Sequence, residues 1–151
     1  MSRTFTPENL VQYLRRSSAT APVKIARSEA LVAENTLRHA RAIFGDEEKL
    51  DPLKPATITA KERRGSEDPD APLIDTGALR DSLRAEVVGP LAAVGSDDPK
   101  MLFHELGTER GLPSRPVLQL AVLEAAEENL AVVRATARAI VTGSRLDIGL
   151  E

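Results

Sequence analysis

The chain contains no cysteine and no tryptophan among its 151 residues. Without cysteine there is no disulfide framework, no thiol nucleophile and no Cys-ligated zinc site. Aromatic residues make up only 3% of the chain, one Tyr and three Phe. The core must therefore come from Ala, Leu, Val and Ile, which favours close-packed helices over a large ligand cavity. No apolar run approaches the roughly 20 residues of a membrane span. The opening residues 1–16 carry no apolar core of signal-peptide length, so the expectation is a soluble protein made in the cytoplasm. Several motifs are missing as well. There is no Gly-x-x-x-x-Gly-Lys phosphate loop, no Gly-x-Ser-x-Gly elbow and no His-x-x-x-His pair. No internal repeat or low-complexity tract is present.

What remains is an ordinary globular composition, 42% apolar and 28% charged, long enough for one domain with a real core. The net charge of −3 is unevenly placed. Residues 1–44 hold seven Lys/Arg against three Asp/Glu, and residues 45–75 hold five against nine. The basic residues are scattered and have only Tyr13 nearby for stacking on bases, so they read as a solvated helix face before they read as a nucleic-acid contact.

The periodicity predicts helices at both ends. Thr6-Pro7-Glu8 is a helix start, with Thr6 as cap, Pro7 where its missing N–H costs nothing and Glu8 at the positive end of the dipole. This first helix is expected to stop near Arg16 and to be broken by the stretch up to Pro22, making 1–22 an N-terminal arm with a short helix. A long helix follows on the stripe Val23, Ala26, Ala30, Ala33, Leu37, Ala40 and Phe44, ended by Gly45. Residues 45–72, with four prolines and many charges, are expected to be an extended loop, mobile in the free subunit and ordered on assembly. Within it, residues 56–64 suit a short helix or a strand. Residues 84–96 alternate as a hairpin around Gly89-Pro90. Asp98-Pro99 caps a short helix that Gly107 ends, and 108–116 is a loop. A last amphipathic helix spans about 116–141, its shared face formed by Leu120, Leu123, Leu130, Val133, Ala137 and Ile140. Residues 142–151 are expected to be a flexible tail. The predicted class is α+β, a small antiparallel sheet packed by two long helices.

Asp75-Thr76-Gly77 has the letters with which an aspartic protease presents a carboxylate. The surroundings do not suit that use. The residues before Leu73 cannot form a buried strand, those after Gly77 read as helix, and no second such tripeptide exists. A helix start accounts for the same letters, with Asp75 or Thr76 as cap, Gly77 just inside, and Leu79 and Leu83 on one side. A phosphate at this helix start would be repelled by Asp75. His39 and His104 have no second ligand at metal spacing, and Asp97-Asp98 reads as a cap rather than a calcium loop.

Five short segments remain, and their order is informative. They are Pro52, Leu53, Pro55 and Thr57; then Thr76, Gly77, Leu79 and Ser82; then Val94, Gly95 and Ser96; then His104, Gly107 and Thr108; then Pro113, Arg115 and Pro116. In this order and spacing, across about residues 50–120, they resemble the virion morphogenesis, or tail completion, family of tailed bacteriophages, with Val117 where an aromatic residue often stands. The resemblance implies a structural virion protein of the neck or head-proximal tail, made in the bacterial cytoplasm. It implies a self-associating ring between the head–tail connector or stopper on one side and the tail terminator or tail tube on the other, near DNA in the channel. It implies no enzymatic activity, no cofactor, no metal and no membrane. A protein-binding module of a mobile element, outside any virion, is the other non-enzymatic reading.

Overall fold

The spine is one helix, α1 (Pro7–Ile43), 37 residues long and so about 55 Å from end to end. The computed structural model describes residues 6–66, 68–88 and 91–146. Thr6 caps α1 through an Asn9 N–H donating to its Oγ1 at 3.3 Å. The break expected before Pro22 does not occur, because α1 runs straight through it. Pro22 and Ser18, whose carbonyl loses its partner, both face solvent, so water can satisfy the freed group. Packing further along holds the helix together. Lys24 Nζ donates to the Ala139 carbonyl at 2.8 Å, and a neighbouring hydroxyl, that of Thr20, bonds back to Arg16 O.

After α1 come α2 (Pro55–Arg63), the single turn α3 (Ala78–Asp81), β1 (Arg84–Val88), β2 (Leu91–Gly95), α4 (Pro99–Leu106), α5 (Val117–Glu124) and α6 (Ala126–Thr142). The strands form a two-stranded antiparallel sheet in the register Arg84↔Gly95 to Val88↔Leu91, and the sheet lies on α1. The molecule is α+β, as the patterning predicts. The Gly89-Pro90 turn and residues 147–151 of the expected tail lie outside the described residues, as does the start of the expected arm. Residues 142–146 are not a free tail, since Thr142 ends α6 and Leu146 is buried.

The last helix is two. Ala125 separates α5 from α6, and both pack along α1. Their buried face is Val117, Ala121, Ala125, Val132, Thr136 and Ala139, all small or β-branched. It meets Ser28, Ala33, Thr36 and Ala40 of α1, and small residues on both sides let the helix axes approach closely. A polar interlock sets the register. Asn129 donates to Thr36 Oγ1 at 3.1 Å and accepts from Asn35 Nδ2 at 3.2 Å. The expected face is turned inward only in part, with Leu120 packed on the core and Ile140 half-buried. Leu123 is 64% exposed, Leu130 46% and Val133 51%. On α1, likewise, Val23, Ala26 and Ala30 of the expected stripe are exposed, while Ala33, Ala40 and Phe44 are buried.

The apolar core gathers at the C-terminal end of α1, where Ile43, Phe44, Leu50, Leu83, Met101, Val117 and Ala121 meet. Gly45 (φ +83) turns the chain there, and its N–H donates to Pro72 O at 2.9 Å. That bond closes residues 45–72 into a strap. The strap is not the free loop expected from its charges. It contains α2, buries Leu50, Lys61, Ala71 and Pro72, and is therefore packed on its own domain. Lys61 ties the strap to itself, donating to the carbonyls of Asp68 at 3.0 Å and Ala71 at 2.9 Å.

Candidate functional site

Four of the five motif segments form two groups, and the remaining one, Pro52 to Thr57, lies on the strap. In the first, Ser82 and Ser96 share a hydrogen bond of 2.6 Å. Ser82 also donates to Leu79 O, and Ser96 Oγ accepts from Asp98 N at 3.0 Å. These bonds tie the end of α3 to the start of α4 across the base of the hairpin, next to Gly95. Leu79 packs on the core.

In the second group, the loop after α4 folds back on that helix. Gly107 has φ +73, and a Cβ there would stand 2.9 Å from Leu112 O and 3.0 Å from Ser114 N. Thr108 N then donates to Leu112 O, and its Oγ1 accepts from Leu112 N. Arg115 N donates to His104 O at 2.6 Å. Pro116 takes the N-cap position of α5, which has no capping side chain of its own. Glu105 supplies the cap from α4, accepting from Leu118 N at 3.1 Å and Gln119 N at 3.0 Å. Its carboxylate also sets a negative charge at the positive end of that helix.

Asp75 does not cap a helix. Gly77, in the left-handed region, holds the N-cap position of α3, and Ala78 N reaches Thr76 Oγ1 only at 3.4 Å. The N-cap position falls on Gly77, two residues further on, which leaves the Asp75 carboxylate outside the first turn. The Asp75 carboxylate instead pairs with Arg64, the C-cap residue of α2, at 3.2 Å, on the solvent side.

Between the strap and the α4–α5 loop lies a cleft of about 650 Å³, despite the expectation of close packing without a large cavity. Six of the motif residues, Pro52, Leu53, Thr57, His104, Pro113 and Arg115, line it, together with Asp75, Asp51, Lys54, Lys61 and Arg64. Leu73, Ile74 and Leu112, with Ala71 and Gly111, make up the rest of the wall. Arg115 is 6% exposed and donates from Nη2 to the Asp51 carbonyl at 3.1 Å. Its Nε and the Nδ1 of His104 are buried without a partner. Burial, and then the charge of Arg115, push the His104 pKa below its ordinary 6.5. Nothing in the cleft pairs a nucleophile with a base. Among the described residues no group of His, Asp and Glu is placed to hold a metal ion, and no helix is long and apolar enough to cross a membrane.

A separate cluster joins the α5–α6 junction to α1. Lys49 pairs with Glu124 at 2.9 Å, Arg38 with Glu128 at 2.6 Å, and His39 lies between the two carboxylates at 3.5 and 3.4 Å. The hydrogen bond from Lys49 holds Glu124 below the usual carboxylate range, and that from Arg38 does the same for Glu128. This cluster braces the helices.

Sequence reasoning missed Lys61, Arg64 and Glu105, since each acts on a partner distant in sequence or on a backbone group. The signal for Glu105 was Pro116 at a helix start that lacks a capping side chain. No protein-family model, curated protein or solved structure matches this chain.

Proposed function

We propose that this chain is a structural protein of a tailed-bacteriophage virion, one subunit of a ring in the neck or at the head-proximal end of the tail. The observation that carries the reading is the outward face of α5 and α6. Its amphipathic stripe has the spacing of a buried surface, yet Leu123, Leu130 and Val133 face away from the subunit. Burying a side chain of this kind is worth about 1.5–3 kcal/mol, so a neighbour gains by covering it. A second apolar surface, Leu102, Phe103 and Leu106 of α4, is also exposed. Two different surfaces are what head-to-tail contacts need, and such contacts must close into a ring to avoid a filament. The order of the motif segments supports the virion setting, with the connector or stopper and the tail terminator or tube as neighbours and DNA passing through the channel.

The protease reading gains nothing from Asp75, whose carboxylate is exposed and paired with Arg64. Leu130→Glu combined with Val133→Glu tests the proposal. The subunit is expected to stay folded, because both positions already meet solvent, and to be lost from particles. Incorporation at the wild-type level contradicts the reading.

A further inference from the structure

We propose that the cleft between the strap and the α4–α5 loop binds a carboxylate carried on an aliphatic ligand, with Arg115 as its charged donor. The guanidinium of Arg115 is buried, and among the described residues no carboxylate lies within ion-pair distance of it. One Nη donates to a neutral carbonyl and Nε to nothing. A buried charge left this way is destabilising unless an anion meets it, and a carboxylate matches the planar donor set of arginine.

Three further features favour a ligand over a simple packing defect. His104 Nδ1, a second buried atom without a partner, belongs to the same wall and is tied to Arg115 through the backbone. In its neutral form the ring can donate one hydrogen bond. Of the other cations of the wall, Lys54 is exposed, Arg64 pairs with Asp75, and Lys61, also buried, donates to two carbonyls, which leaves Arg115 as the buried cation with a donor nitrogen that has no partner. Leu73, also on the wall, is held at φ 63, a left-handed conformation that an L-residue other than glycine adopts only when its surroundings impose it.

The rest of the lining selects the ligand. Leu53, Leu73, Ile74, Leu112 and Pro113 are apolar and suit a hydrocarbon body. Two buried nitrogens lack a partner, Arg115 Nε and His104 Nδ1, and Asp51 and Asp75 also stand on the wall, which favours a monoanion over a phosphate dianion. The carboxylate can belong to an acidic side chain set among apolar residues of a protein partner, or to a free aliphatic acid. Either binds through the same chemistry, and binding does not depend on where the protein assembles.

The test is an NMR titration of the full chain that follows the Arg115 Nε–Hε resonance. The probes are sodium hexanoate and the capped tripeptide acetyl-Leu-Glu-Leu-amide, with hexan-1-ol as the neutral control. The expected result is a saturable shift with at least one acid and none with the alcohol. Tighter binding of the tripeptide assigns the natural ligand to a protein segment, and tighter binding of hexanoate to a free acid. Arg115→Lys is expected to weaken binding about tenfold or more, because a point charge replaces a planar fork. Binding to that variant is read from the neighbouring backbone amides. Thr57→Trp, at an exposed position on the cleft lining, is expected to block binding without touching the buried groups, and it keeps the test valid if Arg115→Lys does not fold. No saturable shift with either acid, an equal response to hexan-1-ol, or unaltered binding in Thr57→Trp overturns the proposal.

Discussion

Glu105→Ala is expected to destabilise the fold through a helix it does not belong to. Helix α5 starts beside the core with Pro116 at its N-cap position, so it has no capping oxygen of its own. The two N–H groups of Leu118 and Gln119 are held by the Glu105 carboxylate at 3.1 and 3.0 Å. Loss of a cap costs typically about 1 kcal/mol, and loss of an anion at the helix N-terminus about 0.3–1 kcal/mol more. Arg115, a cation near the same terminus, makes that anion the more useful. The sum is about 1.5–2 kcal/mol, which for a chain of this size lowers the unfolding temperature by roughly 3–8 °C. Glu105→Gln keeps one accepting oxygen but no charge, and about half the loss is expected. The assay is thermal unfolding followed by circular dichroism at neutral pH, at low salt and again at about 1 M salt, where the charge contribution is screened. The gap between the Gln and wild-type proteins is expected to narrow in salt, while the Ala variant stays the least stable. If both variants unfold within about 1 °C of the wild type, when a 1 kcal/mol loss would move it by at least about 2 °C, water satisfies the start of α5 and the reasoning fails.

Gly107→Ala is expected to cost about 2–4 kcal/mol in urea unfolding, since its Cβ would press on backbone atoms 2.9 and 3.0 Å away at φ +73; an unchanged midpoint would mean the loop after α4 rebuilds freely. Pro22→Ala restores a backbone donor inside α1 and is expected to raise stability by about 1–3 kcal/mol, measured by the same unfolding, whereas a loss would show that α1 depends on the ring. His104 adds a pH dependence. Its folded pKa lies below the ordinary 6.5, so the unfolded chain takes up the proton first, and the stability contribution is present above pH 6.5 and lost as pH falls through the lowered value. Unfolding midpoints of the wild type should therefore fall on the acid side of pH 6.5, and more shallowly in His104→Asn. Parallel profiles for the two proteins would contradict the burial of that ring.

The α+β class was legible because the elements announce their own ends. Thr6-Pro7 and Asp98-Pro99 start helices and Gly45 and Gly107 stop them, all through local backbone chemistry. The break at Pro22 was misread because a proline tells what one N–H lacks, not what tertiary packing supplies to the turns around it. The inward face of α5 and α6 was misread for a related reason. Hydrophobic period identifies an amphipathic face but not whether the chain itself covers it, and here the packing against α1 is built from Ala121, Ala125, Thr136 and Ala139 while Leu123 and Leu130 look out. The strap was expected to be free because its apolar residues are few. Lys61, donating to two carbonyls, holds it with polar bonds that composition does not register. Of the candidate residues, Gly107 was legible as the stop of α4, and 108–116 as the loop that follows. That Asp75 would sit by Arg64, or His104 by Arg115 in one cleft, depends on the folding back of the strap and could be seen only in three dimensions.

The ring is tested most directly by electron cryo-microscopy of purified particles in which this chain is located by its density. The account predicts several copies in rotational repeat at the head–tail junction, with the Leu123, Leu130 and Val133 face of α5 and α6 buried against the next copy or an adjoining neck protein. Absence of the chain from the particle, or a single copy with that face open to solvent, would contradict it.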